Sequence, residues 1–332
     1  MKLWSSGIGM LISRVKSGTK NKVQPFEYHS NGVKVKDPTI LKYIQDLIIP
    51  PAYTRVTIRY NKNPRKDKVT YVGFDTKGRP QHHYAKWWIK QQKATKFCDM
   101  IEFGKAYPGI QSDIRRIIAQ KKTTKTKIIA LIMRVITLCS FRIGNEKYAQ
   151  MYKSYGISTV EKRHVTVKGG ILMFKFIGKK GVLNECTVVD PSTTREIRML
   201  IAAKKPGDKV FEYTEEGERR LIKPTEVNKW LKSYDPTFTS KMFRIFTTNI
   251  MLINRMKDAN PRQLPAAKRK KHVIQVLKEV SCVVHNTPAI CKKDYSDVDI
   301  IDLYITHPQK WNVAFGNSSA RIGFINFLKA KC

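Results

Sequence analysis

One tyrosine near the end of the chain has neighbours that could make it a nucleophile. Tyr295 lies in the segment VVHNTPAICKKDYS, where two lysines and an aspartate precede it and the pair His285-Asn286 lies roughly three helical turns earlier. A tyrosine hydroxyl reacts poorly until nearby groups activate it. Tyr295 is therefore either a packing residue or the reactive group of a site whose other members lie elsewhere in the sequence.

Cleavage of a phosphodiester without a metal ion defines what those other members must be. The reaction requires cations that hold the non-bridging oxygens as charge builds up, and an acid that protonates the departing oxygen. Three segments supply candidates: Arg142 in CSFRIGNEKY, Lys179 in FIGKKGV, and Lys241 with Arg244 in KMFR. Each alone also has a structural interpretation, as a paired core arginine, an exposed turn lysine or a surface pair on one side of a helix.

The charge of the chain indicates a polyanionic partner. Its 332 residues include 63 Lys+Arg and 26 Asp+Glu, a formal net charge of +37, while 42% of the residues are hydrophobic. The apolar content predicts a folded protein, and the excess of cations favours duplex nucleic acid, since phosphate neutralisation releases counterions. An anionic membrane surface is the competing partner. However, the apolar stretch 128–141 is shorter than the ~20 residues needed to span a bilayer, so we expect a soluble, intracellular protein without a membrane segment.

Three basic clusters could follow a phosphate backbone. They lie at residues 61–68, 121–127 and 268–271, and solvated loops are the default interpretation of any one of them. The cluster Lys268 to Lys271 is also compatible with a nuclear localisation signal.

The elements that must position these residues change character along the chain. Residues 26–88 contain short β-branched or aromatic runs separated by turn residues, which predicts strands, whereas helical periodicity follows and is clearest at 123–152. Residues 164–189 then predict three strands joined by Gly169-Gly170 and by the GKKG turn around Lys179. The predicted class is α+β, with a small β-rich N-terminal domain (26–92) and a larger, mostly helical catalytic domain (93–332) containing a three-stranded sheet. Residues 1–25 are assigned to an N-terminal extension, for which disorder is one interpretation.

The six cysteines do not predict a metal or disulfide scaffold. They are widely spaced and form no C-x-x-C pair, so neither a zinc ribbon nor a disulfide framework is expected. Cys139 and Cys186 lie in apolar patterns and are interpreted as small core residues.

Taken in order, the candidate residues resemble the catalytic set of type IB DNA topoisomerases, in the compact form found in poxviruses, other large DNA viruses and some bacteria. The segment TPAICKKDY is similar to the nucleophile segment of that family, and GFDTKGRPQ is similar to its N-terminal G-x-D-x-K-G-R-x-Q core. The positions that match this core are Gly73, Asp75, Lys77, Gly78, Arg79 and Gln81. Similar stretches extend from about Ile48 to Tyr295. The sequence is rich in Lys and Ile, which hints at a viral origin.

The resemblance implies roles for individual residues. Tyr295 would attack the scissile phosphate to form a 3'-phosphotyrosyl bond, Arg142 and Arg244 would hold its non-bridging oxygens, and Lys179, supported by Lys241, would protonate the leaving oxygen. Asn286 stands where the poxvirus form has a histidine, so it is assigned the phosphate contact, and His285 a secondary or structural place. The remaining DNA-contact candidates are Lys77, Arg79, Gln81, His82 and Tyr84 in the N-terminal domain, and Gly144, Tyr148 and His285 in the catalytic domain.

The resemblance implies no metal, no cofactor and no ATP requirement, because one phosphodiester is exchanged for another of similar energy. It also implies that a monomer clamps duplex DNA. A tyrosine site-specific recombinase uses a closely related catalytic set and is the main alternative, although GFDTKGRPQ favours the topoisomerase. A non-enzymatic architectural DNA-binding protein would explain the charge, but not the ordered set of Arg142, Lys179, Arg244 and Tyr295.

Overall fold

The computed structural model describes residues 9–17 and 26–332, and the chain divides into two compact units, residues 1–96 and 97–332. The sequence analysis placed the division at residue 92. Both units combine helices with antiparallel sheets, so the predicted α+β class is confirmed. The division at residue 96 lies within helix α2 (Lys86–Ile118).

The N-terminal unit is built on a six-stranded antiparallel sheet with the strand order β3-β2-β1-β4-β5-β6. Its strands are β1 (Met10–Lys16), β2 (Phe26–Ser30), β3 (Val33–Lys34), β4 (Thr54–Tyr60), β5 (Val69–Phe74) and β6 (Pro80–Tyr84). Helix α1 (Pro38–Asp46) begins after Asp37, whose carboxylate accepts the backbone N–H of Thr39 at 2.8 Å. Its Ile40 and Ile44 pack on the buried face of the sheet and complete a small apolar core.

Strand β1 corrects the interpretation of residues 1–25 as an extension. It lies between β2 and β4, and Ile12 on it is fully buried opposite Ile58. The alternation was hard to detect because Arg14, rather than an apolar residue, follows Ile12 on the same side of the strand. Its guanidinium lies 4.1 Å from the ring centroid of Phe26 and donates to the carbonyl of Pro50. Residues 1–8 and 18–25 lie outside the described residues.

The C-terminal unit is mostly helical. Beyond α2, its helices are α3 (Lys125–Cys139), α4 (Glu146–Tyr152), α5 (Pro191–Ile201), α6 (Pro224–Leu231), α7 (Ser240–Lys257), α8 (Ala266–Val283), the short α9 (Pro288–Ile290), α10 (Val298–Thr306), α11 (Pro308–Phe315) and α12 (Ala320–Lys331). A π-helix at Cys291–Tyr295 follows α9 directly. Single 3-10 turns lie at Ile157–Thr159, Lys162–His164, Lys179–Gly181 and Pro261–Gln263.

Two small sheets complete this unit. The predicted three-stranded sheet is confirmed, with β7 (Val165–Lys168), β8 (Ile171–Ile177) and β9 (Leu183–Val188) in antiparallel order, and β10 (Glu212–Glu215) pairs with β11 (Glu218–Leu221). Gly169 and Gly170 join β7 to β8 with positive φ angles of 57° and 78°. Only glycine adopts two such angles in succession without strain, which is why this pair was a reliable turn signal.

Helix α7 is packed on α2 by aromatic rings. The ring of Phe103 lies edge-to-face with Phe243 and Phe246, at centroid distances of 4.9 and 5.5 Å. All three rings are buried, and such pairs contribute about 0.5–1.5 kcal/mol beyond the burial of their area. This packing fixes the rotation of α7 about its axis and turns the intervening Arg244 into the interior.

The prediction that the cysteines form no disulfide framework was wrong. Cys98 is joined to Cys332 and Cys139 to Cys186, across 234 and 47 residues of sequence, whereas Cys282 and Cys291 are free. Each bonded pair comes from elements that meet only in the tertiary structure, so the spacing along the chain carried no signal. Cys139 is nevertheless buried among apolar residues, as its pattern predicted.

Among residues 9–17 and 26–332, no helix is long and apolar enough to cross a membrane.

Candidate active site

The structure brings together three residues that are far apart in the sequence. One guanidinium nitrogen of Arg142, Nη2, donates to Oδ1 of Asn286 at 2.9 Å and to the hydroxyl of Tyr295 at 3.3 Å. These partners lie 144 and 153 residues away along the chain. Arg244 lies over the ring of the same tyrosine, with its guanidinium carbon 5.0 Å from the ring centroid. We call Arg142, Arg244, Asn286 and Tyr295 the guanidinium–phenol cluster.

A break in the predicted long helix at 123–152 positions Arg142. The periodicity predicted helix throughout this range, but α3 ends at Cys139, and Ser140 adopts a left-handed conformation with φ 53°. The chain then has no regular secondary structure until α4 begins at Glu146, and the backbone carbonyl of Arg142 accepts the N–H of Ile157 at 2.9 Å. The change of direction takes Arg142 off the helix surface and points it at the cluster.

Arg244 is held at the ends of two other helices. Its side chain is 3% exposed, and it donates to the carbonyl of Ser140, which follows α3, and to the carbonyl of Val284, which follows α8, at 2.7 Å for the latter. Carbonyls at the C-terminal end of a helix lack intrahelical partners and carry partial negative charge, so a buried cation is well placed there. Burial lowers the pKa of Arg244 to about 10, which leaves it charged at neutral pH. Its Nε has no hydrogen-bond partner in the described structure, so this guanidinium retains donor capacity next to the phenol.

The π-helix places Tyr295. The backbone N–H of Ser296 bonds to the carbonyl of Cys291 at 3.0 Å, and Tyr295 is 7% exposed. Short π-helical turns are rare and occur frequently at functional sites. Burial alone would raise the pKa of the Tyr295 phenol, but the positive charges of Arg244 and Arg142 outweigh burial, and the pKa lies below its ordinary value. The cluster therefore favours the phenolate, the form of tyrosine that acts as a nucleophile.

The two members of the His285-Asn286 pair have different environments. Helix α8 ends in a Schellman motif, in which His285 has a φ of 52° and the N–H groups of His285 and Asn286 bond to the carbonyls of Cys282 and Ser281. His285 is 7% exposed, and its ring centroid lies 4.9 Å from that of Phe141. Its Nε2 lies 3.0 Å from the carbonyl of Cys139. Burial lowers the pKa of His285 to about 4, so the ring is neutral and donates to that carbonyl. This geometry favours the structural place for His285 over a DNA contact, and it leaves Asn286 facing Arg142.

The two lysines of the predicted set have no contact with the cluster. Lys179 lies in the β8-β9 hairpin, where Gly178 N–H bonds to the Val182 carbonyl at 2.8 Å and Gly181 has a φ of 77°. Lys241 lies in the first turn of α7, after the N-cap Thr239. Both side chains are exposed, and neither makes an ion pair or side-chain hydrogen bond within the part of the chain that the structure describes.

The predicted contacts beside Arg142 differ in exposure. Gly144 is buried, its N–H donates to the Ser158 hydroxyl at 3.0 Å, and a Cβ there would lie 2.3 Å from Thr159 Oγ1. Close packing therefore explains why this position is a glycine. Tyr148 is 45% exposed on α4, next to Tyr152.

In the N-terminal unit, Asp75 organises the predicted DNA-contacting turn. Its carboxylate accepts the backbone N–H groups of Lys77 and Arg79, the Nε of Arg79 at 2.8 Å, and the amide of Gln81 at 3.0 Å. The hydrogen bonds from Arg79 lower the pKa of Asp75 to about 2, so the carboxylate stays ionised and fixes the turn. His82 and Tyr84 are exposed and lie on the face of the edge strand β6 opposite to Gln81.

Two of the three basic clusters contain structural cations. In the cluster 121–127, Lys127 is 2% exposed and its ammonium lies 2.7 Å from the Glu196 carboxylate. In the cluster 268–271, Arg269 donates to the carbonyls of Ile305, Pro261 and Leu264. Exposed lysines remain in both, but the number of cations available to a phosphate backbone is smaller than the sequence suggests.

Sequence reasoning missed Asn249, a fully buried residue of α7. Its amide nitrogen donates to the carbonyl of Tyr295 at 2.9 Å, and its oxygen accepts the N–H of Asp297 at 2.8 Å. The helix that carries Arg244 is thus bonded to the backbone on both sides of Ser296. The available signal was an asparagine on the apolar face of α7, since a buried amide requires partners. Within the described residues, no group of His, Cys, Asp and Glu could hold a metal ion.

Comparisons with known proteins identify the relatives of this chain. A family model described as the catalytic core of eukaryotic DNA topoisomerase I matches residues 85–310. The DNA topoisomerase 1B of Acanthamoeba polyphaga mimivirus is 29% identical over 306 residues, which cover 90% of this chain and 88% of the relative. The DNA topoisomerase I of Monkeypox virus is 25% identical, and the DNA topoisomerase 1B of Vaccinia virus (strain Western Reserve) 24% identical, each over 273 residues, 80% of this chain and 82% of the relative.

Proposed function

The chain belongs to the DNA topoisomerase I catalytic-core family, and from this premise we propose that Tyr295 is the residue through which it cuts and reseals one strand of duplex DNA. Its activity is that of a type IB DNA topoisomerase, which relaxes supercoiled DNA through a transient 3'-phosphotyrosyl intermediate. The observation that carries the assignment of Tyr295 is its hydroxyl, 3.3 Å from Arg142 and beside the buried Arg244.

In the cleavage step, Oη of Tyr295 forms a bond to the scissile phosphorus as the bond from phosphorus to the 5' oxygen breaks. The phenolic proton passes to water, and the proposed acid Lys179 delivers a proton to the departing 5' oxygen, so the products are a 3'-phosphotyrosine and a free 5' hydroxyl. Resealing reverses each change. Because one phosphodiester is exchanged for another of similar energy, the cycle requires no ATP.

The two guanidinium groups have distinct parts in this step. Arg142 is partly exposed and already bonded to the phenol, so it is placed to bind a non-bridging oxygen when DNA arrives. Arg244 is buried and stabilises both the phenolate and the negative charge that develops on the phosphoryl group. Asn286 Oδ1 orients Arg142, and its amide N–H₂ can donate to a phosphate oxygen.

Lys179 is the proposed general acid, with Lys241 supporting it or the phosphate. Both are exposed lysines, so the proposal requires that bound DNA order them at the leaving oxygen. Positioned acids of this kind typically contribute about 10²–10⁴-fold to a rate.

The N-terminal unit supplies further proposed DNA contacts. The proposed contacts are Lys77, Arg79 and Gln81 in the turn that Asp75 organises, and His82 and Tyr84 on the adjacent edge strand. In the catalytic unit the proposed contact beside Arg142 is Tyr148, whereas Gly144 is buried against Thr159. A single chain would engage the duplex with both units and act as a monomeric clamp.

Relaxation of supercoiled plasmid in EDTA without ATP tests the proposed function. The wild-type protein should relax the plasmid, and Tyr295→Phe should not, although it retains DNA binding. Tyr234→Phe is a suitable control, because it removes a tyrosine hydroxyl that bonds to Asp113, outside both the cluster and the proposed DNA contacts, and it should preserve relaxation. Full activity of Tyr295→Phe would exclude Tyr295 as the nucleophile.

A further inference from the structure

The segment that follows the nucleophile is paired with the last helix of the chain. Asp297 is 1% exposed, and the ammonium of Lys331 lies 3.1 and 3.0 Å from its two carboxylate oxygens. Lys331 ends α12, outside the residues 85–310 that match the family model. The cation closest to this buried carboxylate thus comes from the part of the chain that the family model does not cover.

Asp297 is rigidly connected to the nucleophile. Its backbone N–H bonds to Asn249, whose amide also bonds to the carbonyl of Tyr295, and its carboxylate accepts the N–H of Asp299 at 3.0 Å to begin α10. A shift of the Asp297 side chain would therefore act on the backbone of Tyr295 through one intervening residue, Ser296, which is itself buried.

Lys331 is held in place by several contacts. Its ammonium also lies 2.5 Å from the Asp299 carboxylate and 5.7 Å from the ring centroid of Phe97. The next residue, Cys332, is bonded to Cys98 on α2. Lys331 and Cys332 thus connect helix α2 to the segment that follows Tyr295.

We propose that Lys331 is a positioning residue for the cleavage reaction, which neutralises buried Asp297 and so holds Tyr295 at the distance from Arg142 that attack requires. This inference rests on the proposed role of Tyr295. Lys331 touches neither the phenol nor any group assigned to the DNA, so it acts only through Asp297.

The electrostatics of Asp297 give this role a measurable signature. Burial raises the pKa of Asp297, and Lys331 opposes that rise, while Asp299 adds to it. Without Lys331, the pKa of Asp297 would rise further, and above that pKa an unpaired carboxylate would be left in the interior. The variant should consequently lose activity relative to the wild type as the pH rises, and recover part of it as the pH falls and Asp297 becomes neutral.

The test compares Lys331→Met with Lys329→Met, an exposed lysine of the same helix, in single-turnover formation of the covalent adduct at saturating duplex. Lys331→Met should reduce the rate about 10- to 100-fold, the range that small displacements of reacting groups produce. Lys329→Met should stay within about twofold of wild type, and Lys331→Arg should recover most of the loss because it restores the charge. DNA affinity, measured with Tyr295→Phe in the same background, should not change.

A double variant separates positioning from loss of folding. Lys331→Met with Asp297→Asn removes both charges and keeps an oxygen that can accept the Asp299 N–H, so it should react faster than Lys331→Met alone. The inference is overturned if Lys331→Met reacts at the wild-type rate, if its rate relative to wild type is independent of pH, or if the double variant is as slow as the single one. If the wild-type protein itself forms no adduct, the proposed function fails, and that result is distinct from all of these.

Discussion

The guanidinium–phenol cluster and the two lysines proposed to act in catalysis, Lys179 and Lys241, are held in different ways. Arg244 and Tyr295 are buried, Arg142 and Asn286 are partly buried, and hydrogen bonds link these side chains to one another or to the ends of helices α3 and α8. Lys179 and Lys241 are exposed on a hairpin and on a first helical turn. Folding offsets the cost of desolvating the guanidinium–phenol cluster, whereas the two exposed lysines stay solvated in the free protein.

This difference separates two parts of the reaction. In the free protein, both guanidiniums already lower the pKa of Tyr295, the proposed nucleophile. Lys179, the proposed general acid, is exposed, so the proposal places it at the leaving oxygen only when the duplex is bound. Substitutions of the buried cluster residue Arg244 should therefore affect both stability and rate, while substitutions of the lysines should affect rate or affinity alone.

The largest effect is expected for Arg244→Lys. A lysine ammonium cannot donate to the Ser140 and Val284 carbonyls and also face the phenol, so the cleavage rate should fall by about 10²–10³-fold. The free energy of unfolding should fall by about 1–3 kcal/mol because buried carbonyls lose partners. Single-turnover cleavage and thermal unfolding measure the two effects, with Arg255→Lys on the exposed side of α7 as the control. An unchanged cleavage rate would mean that Arg244 links the ends of α3 and α8 but takes no part in cleavage.

Lys179→Ala should also slow cleavage, by about 10²-fold, but without loss of stability, because the side chain is exposed. If the lysine protonates the leaving oxygen, a substrate with sulfur at that position should restore most of the rate, since a thiolate leaves without a proton. Lys168→Ala, an exposed lysine at the end of β7, is the matched control. The general-acid assignment would be wrong if the sulfur substrate gave no relief.

Substitutions of the adjacent residues His285 and Asn286 should have different effects, the first mainly on stability and the second mainly on the cleavage rate. Asn286→Ala should slow cleavage by about tenfold with little change in stability, since it releases Arg142 from one partner. His285→Ala should lower the unfolding temperature with a smaller effect on the rate, because it removes a buried ring and its bond to the Cys139 carbonyl.

The pH dependence of stability provides an independent check on His285. Its folded pKa of about 4 lies below the ordinary value of 6.5, so the unfolded state binds more protons in that interval. Stability should accordingly decline as the pH falls from about 6.5 toward 4, and this component should be absent in His285→Ala. If His285→Ala slowed cleavage more than Asn286→Ala, the assignment of the phosphate contact to Asn286 would be off by one residue.

The smallest effect is expected for Lys77→Ala in the N-terminal turn. If Lys77 neutralises a phosphate, its loss should weaken binding to all duplex sequences about equally and reduce the salt slope of the binding constant by about 0.9. The cleavage rate at saturating DNA should not change, because Lys77 lies outside the cluster. Lys42→Ala on α1 serves as the control in the same titration. An unaltered slope would remove Lys77 from the DNA interface.

Local patterns predicted β4 to β9 but missed β1 and the β10-β11 hairpin. The alternating runs that became β4 to β9 and the turn at Gly169-Gly170 were identified from sequence, since strand period and turn chemistry are properties of neighbouring residues. The break of the long helix after Cys139 was missed, because Ser140 adopts a left-handed conformation that its residue type does not demand. That conformation is stabilised from elsewhere, by the bond from Arg244.

The resemblance identified the candidate site residues, but it did not predict their burial or their hydrogen-bond partners. No periodicity indicated that His285 would point inward and Asn286 outward, because this depends on how α8 ends. The disulfides, the hydrogen bonds of the partly buried Arg269 and the pairing of Asp297 with Lys331 likewise depend on contacts between distant segments. Sequence patterns identified residue types suited to the chemistry, whereas the tertiary structure determined which of them are buried, charged or free.

The most direct test of the account is to identify the residue that becomes attached to DNA. A duplex library would be incubated with the protein in EDTA, the reaction stopped by denaturation, and the adduct digested and sequenced as peptide and as DNA. The account predicts a single modified residue, Tyr295, joined to a 3' phosphate with a free 5' hydroxyl on the other fragment. Attachment at another residue, or through a 5' phosphate, would contradict it.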